Sequence, residues 1–264
     1  MGLSRSDGNM GAAPRRRKGG VAAIVLAAGL GTRMRSRRAK VLHRVGAKAM
    51  VVRVVAACLE AGLAPVVVVV GHQREKVEAI VRRAFPRAPV RFAWQREQKG
   101  TGHAVRVGLG RVGRGARRIV VTSGDTPLQR AATLGALAKS PATLAFVTAR
   151  LRDATGYGRV LRDRSRKGVP PVRIVEQKDA TARERRIREA NMGLYGIDAT
   201  WLRAAIRGLR AENAQGEFYL TDLVEMAVRE GKRVVAHCVR DAREVLGVNT
   251  REDLAALDRL ASDW

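Results

Sequence analysis

Hydrophobic and polar positions fall into a repeating order along the first half of the chain. Residues 21–26 are small or branched and apolar, which predicts a buried strand. Residues 49–61 carry apolar side chains at helical spacing, closed by Gly62. Pro65 opens an uninterrupted valine run at 66–70, the pattern of a strand covered on both faces. An amphipathic helix is predicted at 74–85, stopped by Pro86, and a further strand at 90–95. A helix opens at Gly100, and a β-branched strand runs from Ile119 to Gly124-Asp125. This is the βαβ rhythm of an α/β protein with a Rossmann-like, mostly parallel twisted sheet flanked by helices. Ligands of such sheets lie beyond the carboxyl ends of the strands. That rule gathers the loop after residue 26, Gln95 and Asp125 into one crevice.

The rhythm weakens in the second half. Strands are predicted at 142–151, 160–162, 172–179 and 191–195, with longer polar connections that include a charged loop at 162–167. Helices follow at 181–189 and 201–209, and a third opens from the 213–222 stretch and ends at Gly231. A strand at 234–239 and a last helix at 251–260 complete the chain. The organisation expected is a disordered basic tail at 1–19 and one folded domain at 20–264. That domain divides into a first half (20–127), a second half (128–250) and a C-terminal helix (251–264). No internal period appears, which excludes solenoids and β-helices.

Composition adds limits. With 264 residues, 46% of them hydrophobic, the chain can bury a sizeable core. No apolar stretch approaches the roughly 20 residues of a membrane span, and the N-terminus has no apolar signal region. A cytoplasmic location is expected. Cys58 and Cys238 sit in apolar runs, fit no metal spacing, and read as reduced core thiols. The net charge is +27; residues 1–19 hold five basic side chains against Asp7, so +23 remains on the rest. Such a field attracts nucleic acid or polyphosphate without sequence preference. The charges are scattered and no nucleic-acid motif accompanies them, so a solvated, arginine-rich surface is the plainer reading.

Three stretches carry chemistry. The first is Leu26-Ala27-Ala28-Gly29-Leu30-Gly31-Thr32-Arg33-Met34, with Lys40 shortly after. Two glycines at a strand end allow backbone amides to close around phosphate oxygens. Arg33 offers a forked contact and Lys40 a point charge. A tight turn would also explain the glycines, and the loop lacks both the third glycine of the dinucleotide fingerprint and the P-loop lysine pattern. The second is Gln95 to Ala104, where Gly100-Thr101-Gly102 opens a helix with its amides free, and the Gln95 amide suits a nucleobase edge. The third is Gly124-Asp125, a carboxylate at the ligand edge that suits Mg²⁺, or else a helix cap before Pro127. His43 and His103 read as structural.

In order, the strings LAAGLGTRM, Lys40, GTGHA, GD, TGYGR, IVEQKDA, ANMG, NAQGEFYLTD and GVN resemble a particular family. It is the uridylyltransferase (pyrophosphorylase) domain of the bacterial bifunctional enzyme that makes UDP-N-acetylglucosamine, a sugar nucleotidyltransferase. The resemblance runs from about Val21 to about Leu257. It implies a GT-A-type fold whose second half binds the sugar, an Mg²⁺ cofactor, and UTP and a sugar 1-phosphate as substrates. By position it implies nucleotide contacts at Leu26, Ala27, Ala28, Gly29, Gly31, Thr32 and Gly124, with Arg33 and Lys40 on the phosphates. Gln95, Gly100 and Thr101 would recognise uracil. Asp125 and Asn249 would hold the metal. Gly158, Glu176 and Asn191 would hold the amino sugar, with Tyr219 and Thr221 around its acetyl group. Ser123 and Met192 depart from the family's frequent tyrosine and threonine. The family's left-handed β-helix is not expected here, so neither acetyltransferase activity nor a β-helix trimer is expected, and a separate acetyltransferase is a candidate partner. The alternatives are another sugar 1-phosphate, dTTP in place of UTP, or a retired fold that binds nucleic acid.

Overall fold

The computed structural model describes residues 20–163, 165, 168 and 170–261. The expected tail at 1–19 and part of the charged loop at 162–167 lie outside the described residues. The strands are β1 (Val21–Ala27), β2 (Arg44–Val45), β3 (Lys48–Ala49), β4 (Val66–Val70), β5 (Val90–Trp94), β6 (Arg118–Ser123), β7 (Leu144–Arg150), β8 (Gly158–Arg162), β9 (Pro171–Val175), β10 (Glu189–Asp198) and β11 (Val234–Cys238). The helices are α1 (Met50–Glu60), α2 (Arg74–Ala84), α3 (Thr101–Leu109), α4 (Ala131–Lys139), α5 (Ala182–Arg185), α6 (Ala199–Ala205), α7 (Asp222–Arg229) and α8 (Arg251–Leu260).

The main sheet runs β11-β7-β10-β6-β1-β4-β5, with β8 attached to β10 and β9 to β8; β2 and β3 form a small hairpin. Along that path only β10 runs against its neighbours. Alternation along β1 sends Ala23, Val25 and Ala27 into a layer with α1, α2 and α4. Ala22 and Ile24 enter the opposite layer with α3, α6 and α7. All five valines of β4 are fully buried, as a strand covered on both faces requires. Each contributes roughly 1.5–3 kcal/mol relative to exposure. From β1 the chain builds outward to β4 and β5, then returns to lay β6 on the other side of β1. The carboxyl ends of β1 and β6 therefore flank a topological switch point, where such sheets bind ligands.

The structure corrects three expectations. The helix predicted at 181–189 is only α5, started by a Thr181–Glu184 capping box. Glu189 belongs instead to β10, because its carboxylate takes a fork from Arg162 of β8 at 2.6 and 2.7 Å. The helix predicted at 201–209 starts at Ala199 and tightens into a 3-10 turn at Ile206–Gly208. Cys58 is buried as expected, but Cys238 is exposed. It is the last residue of β11, at an edge of the sheet. Among the described residues no helix is long and apolar enough to cross a membrane.

Candidate active site

β1 delivers its loop at the switch point. Ala27 and Ala28 are still buried, so they offer the ligand edge backbone rather than side chain. Residues 29–33 follow, and among the described residues their amides have no acceptor. A row of unpaired amides is what a phosphate cradle needs. Gly31 sits at φ 65°, and a Cβ there would lie 2.7 Å from the Cβ of Lys40. Only glycine lets the loop fold this closely over the lysine.

The Lys40 ammonium donates to Asp125 Oδ2 and, at 3.1 Å, to Asn249 Oδ1. Arg33 Nη2 donates to the same Asn249 oxygen at 2.8 Å. Two cations from the first loop thus meet an acid and an amide from much later in the chain. Asp125 is not a helix cap, since α4 begins only at Ala131. Burial pushes the Asp125 carboxyl up, but the adjacent Lys40 charge and hydrogen bonds from Lys40 and Ser123 outweigh it and hold it below the usual range. Gly124 seals the edge: its amide donates to the Leu26 carbonyl at 2.8 Å. Oxygens of Asp125 and Asn249 converge on one cationic point, which is a donor pair suited to Mg²⁺. Among the described residues no cluster of three or more His, Cys, Asp or Glu forms a metal cage. A site of this kind must rely on substrate oxygens and water.

The second half supplies the other wall. Gly158 of β8 pairs with Asn191 of β10, and a Cβ at Gly158 would lie 3.4 Å from Glu176 Oε2. Register therefore brings all three sugar-site candidates to one level. β10 bulges between Asn191 and Tyr195, and Asn191 Nδ2 donates to the Tyr195 hydroxyl at 2.7 Å across the bulge. Thr221 Oγ1 donates to Glu176 Oε1 at 3.0 Å. Burial and the nearby acids Asp222, Asp179 and Glu217 raise the Glu176 carboxyl despite that bond.

One cleft of about 200 Å³ joins the two walls. Leu26, Thr101, Asp125 and Asn249 line it from the first wall, and Gly158, Glu176, Asn191 and Thr221 from the other. Of the expected residues, Ala27 to Gly29, Gly31 to Arg33, Lys40 and Gly124 stand at its mouth rather than in its lining, and Gln95, Gly100 and Tyr219 are turned away from it. Gln95 is 3% exposed, and its Nε2 reaches the Gly100 carbonyl at 3.3 Å and His103 Nδ1 at 3.1 Å. Gly100 turns the chain at φ 95° beneath Phe218. The Tyr219 hydroxyl accepts from Gln215 at 2.7 Å. The expected free amides at α3 are also partly used, since Gly102 donates to the Phe218 carbonyl at 2.7 Å. The Thr101 hydroxyl accepts from the Leu220 amide at 3.0 Å, tying α3 to the strap before α7. Tyr157, Tyr195 and Gly247 line the cleft without having been singled out. Tyr157 stands inside the TGYGR string, beside the chosen Gly158; Tyr195 read as an ordinary strand aromatic. His43 packs through Ser36 at 3.1 Å, in keeping with a structural role.

Residues 23–192 match the family described as the MobA-like NTP transferase domain. The chain belongs to that family. Among its relatives, this NTP transferase domain is 51% identical over 242 residues to the Bifunctional protein GlmU of Anaeromyxobacter sp. (strain Fw109-5), covering 91% of the chain and 49% of the relative. It is 45% identical over 247 residues to the Bifunctional protein GlmU of Streptomyces griseus, covering 92% and 50%. The chain spans about half the length of the curated relatives it matches. In structure, the NTP transferase domain superposes on a UDP-glucose pyrophosphorylase complexed with UDP-glucose at a TM-score of 0.73. That likeness covers 92% of this chain and 99% of the other at 16% identity, and so speaks to the fold alone.

Proposed function

We propose that this NTP transferase domain joins a uridylyl group from UTP to N-acetylglucosamine 1-phosphate, giving UDP-N-acetylglucosamine and pyrophosphate. One observation carries the reading: Lys40 and Arg33 meet Asp125 and Asn249 beside a loop of unpaired amides, at the mouth of a cleft that runs on to Glu176 and Asn191. The ordered motifs and the relatives named Bifunctional protein GlmU support the choice of substrates.

A sugar phosphate oxygen forms a bond to the α-phosphorus of UTP, and the bond from that phosphorus to the pyrophosphate oxygen breaks in line. The attacking oxygen is already anionic, so no general base is required. Catalysis reduces to alignment and charge neutralisation. The amides of residues 29–33 cradle the triphosphate, and Arg33 and Lys40 meet the charge that grows on the leaving pyrophosphate. Asp125 and Asn249 would hold Mg²⁺, which when bound neutralises phosphate charge. Thr101 contacts the base end. Gln95 and Gly100 shape that end from below, through the bonds between them. Gly158, Asn191 and Glu176 receive the sugar, with Thr221 orienting Glu176 and Tyr219 supporting that strap from behind.

Pyrophosphate release measured across UTP, dTTP and CTP, each with N-acetylglucosamine, glucosamine or glucose 1-phosphate, tests the reading. UTP with N-acetylglucosamine 1-phosphate is expected to give the highest kcat/KM. A higher value for another pair replaces the substrate assignment. No release with any pair, together with salt-dependent binding of duplex DNA, would favour a retired fold that uses its charge.

A further inference from the structure

We propose that Arg251, the first residue of α8, is a positioning residue that holds the Arg33 turn and thereby sets the affinity for the nucleoside triphosphate. Its Nε donates to the Met34 carbonyl at 3.2 Å and its Nη2 to the Arg35 carbonyl at 3.0 Å. These carbonyls end the 3-10 turn Thr32–Met34 that carries Arg33. A turn of that length has almost no hydrogen-bond ladder of its own. Arg35 closes it at φ 45°, in the left-handed region that a side chain disfavours. The turn therefore depends on partners from elsewhere. Its Met34 side chain is buried in a small apolar cluster with Val248 and Leu257, and its two terminal carbonyls belong to Arg251. The cluster also takes in Val45, Met50 and Leu128, but the last segment contributes to both supports, through Val248 and Leu257 and through Arg251.

The same segment fixes the far end of the Arg33 side chain. The Asp253 carboxylate accepts the amides of Asn249 and Thr250, each at 2.9 Å, and the Thr250 hydroxyl accepts the Asp253 amide in return. This capping box makes the start of α8 rigid. Asn249, which holds the Arg33 guanidinium, and Arg251, which holds the backbone of the two residues after Arg33, stand on either side of the cap residue Thr250. One helix start thus grips both the Arg33 side chain and the turn that carries it. Arg251 does not line the cleft with Glu176 and Asn191; it works through the turn. Its fork of two donors onto two carbonyls is specific to arginine, because lysine supplies the charge from a single point.

The inference rests on reading residues 29–33 as the phosphate cradle. Arg251→Lys, which keeps the charge and loses the fork, tests it in two ways. In ligand-free protein, exchange of the Met34 and Arg35 amides, which donate to the Gly31 and Thr32 carbonyls, is expected to accelerate at least tenfold while β1 and β4 stay unchanged. In the pyrophosphate-release assay, KM for the nucleoside triphosphate is expected to rise about tenfold while KM for the sugar 1-phosphate stays within twofold. Unchanged exchange overturns the proposal. So does faster exchange with an unmoved nucleotide KM, or an equal rise in both KM values, which would mark a general loss of structure. Should the unaltered protein release no pyrophosphate, the functional reading fails, while exchange and calorimetric titration with UTP still decide whether Arg251 holds the turn and governs nucleotide affinity.

Discussion

Asp125→Asn separates the structural from the chemical work of the central ion pair. The substitution preserves shape and one acceptor for Lys40 but removes the charge. Breaking a fully buried pair by neutralising one partner costs about 3–5 kcal/mol. The Lys40 and Asp125 side chains keep 15% and 16% of their exposure. Slight access to water trims the expected loss to about 2–3 kcal/mol. Urea unfolding reads that loss as a lower midpoint at unchanged slope. Adding Lys40→Met removes the stranded ammonium, and about 1–2 kcal/mol should return, within the usual range for directly coupled residues. Activity should behave in the opposite way. Losing the carboxylate that would hold Mg²⁺ against the phosphates costs about 3 kcal/mol of barrier, or at least a hundredfold in kcat, and the double variant, which also lacks the Lys40 charge, loses more. The pair also sets a pH window. The folded Asp125 carboxyl lies below its ordinary value. Its contribution is therefore complete above about pH 4 and disappears as the pH falls through the folded value, so wild type and Asp125→Asn should converge in acid. Equal urea midpoints at neutral pH, with pyrophosphate release within threefold of wild type, would refute the assignment of this pair.

Three further outcomes follow from the geometry. Gly31→Ala places a Cβ 2.7 Å from that of Lys40 at φ 65°; a loss of about 1–3 kcal/mol by thermal melting is expected, with a raised nucleotide KM. Glu176 is raised by burial and by neighbouring acids, so its neutral form favours the fold below its ordinary range and that contribution is lost as pH rises through the folded value. Glu176→Gln should accordingly gain stability relative to wild type as the pH rises above the ordinary carboxylate range, read by urea midpoints. Cys238 is exposed while burial pushes the Cys58 thiol up to about 12; a native thiol titration should therefore modify Cys238 at once and Cys58 only after unfolding.

Local pattern determined much of this protein. The apolar run of β1, the valines of β4 and the β-branched residues of β6 dictate buried parallel strands, because only a sheet covered on both faces satisfies them. The glycines after β1 and the Gly-Asp after β6 are legible for the same reason: strand ends and turn residues are set by neighbours in sequence. Tertiary structure alone decided the rest. β10 enters antiparallel between β6 and β7, a choice made by pairing across the sheet rather than by its own residues. That insertion carries Asn191 to Gly158 and Glu176, which no spacing could show. Gln95 suits a nucleobase edge as a residue type and Tyr219 follows from the family resemblance, yet packing turns both toward protein partners. Asn249 comes to Arg33, and Arg251 to Met34 and Arg35, across more than 200 residues of chain. Such closure depends on how the last helix packs over Met34 and Val45, and a sequence records the side chains of that contact without recording that they meet.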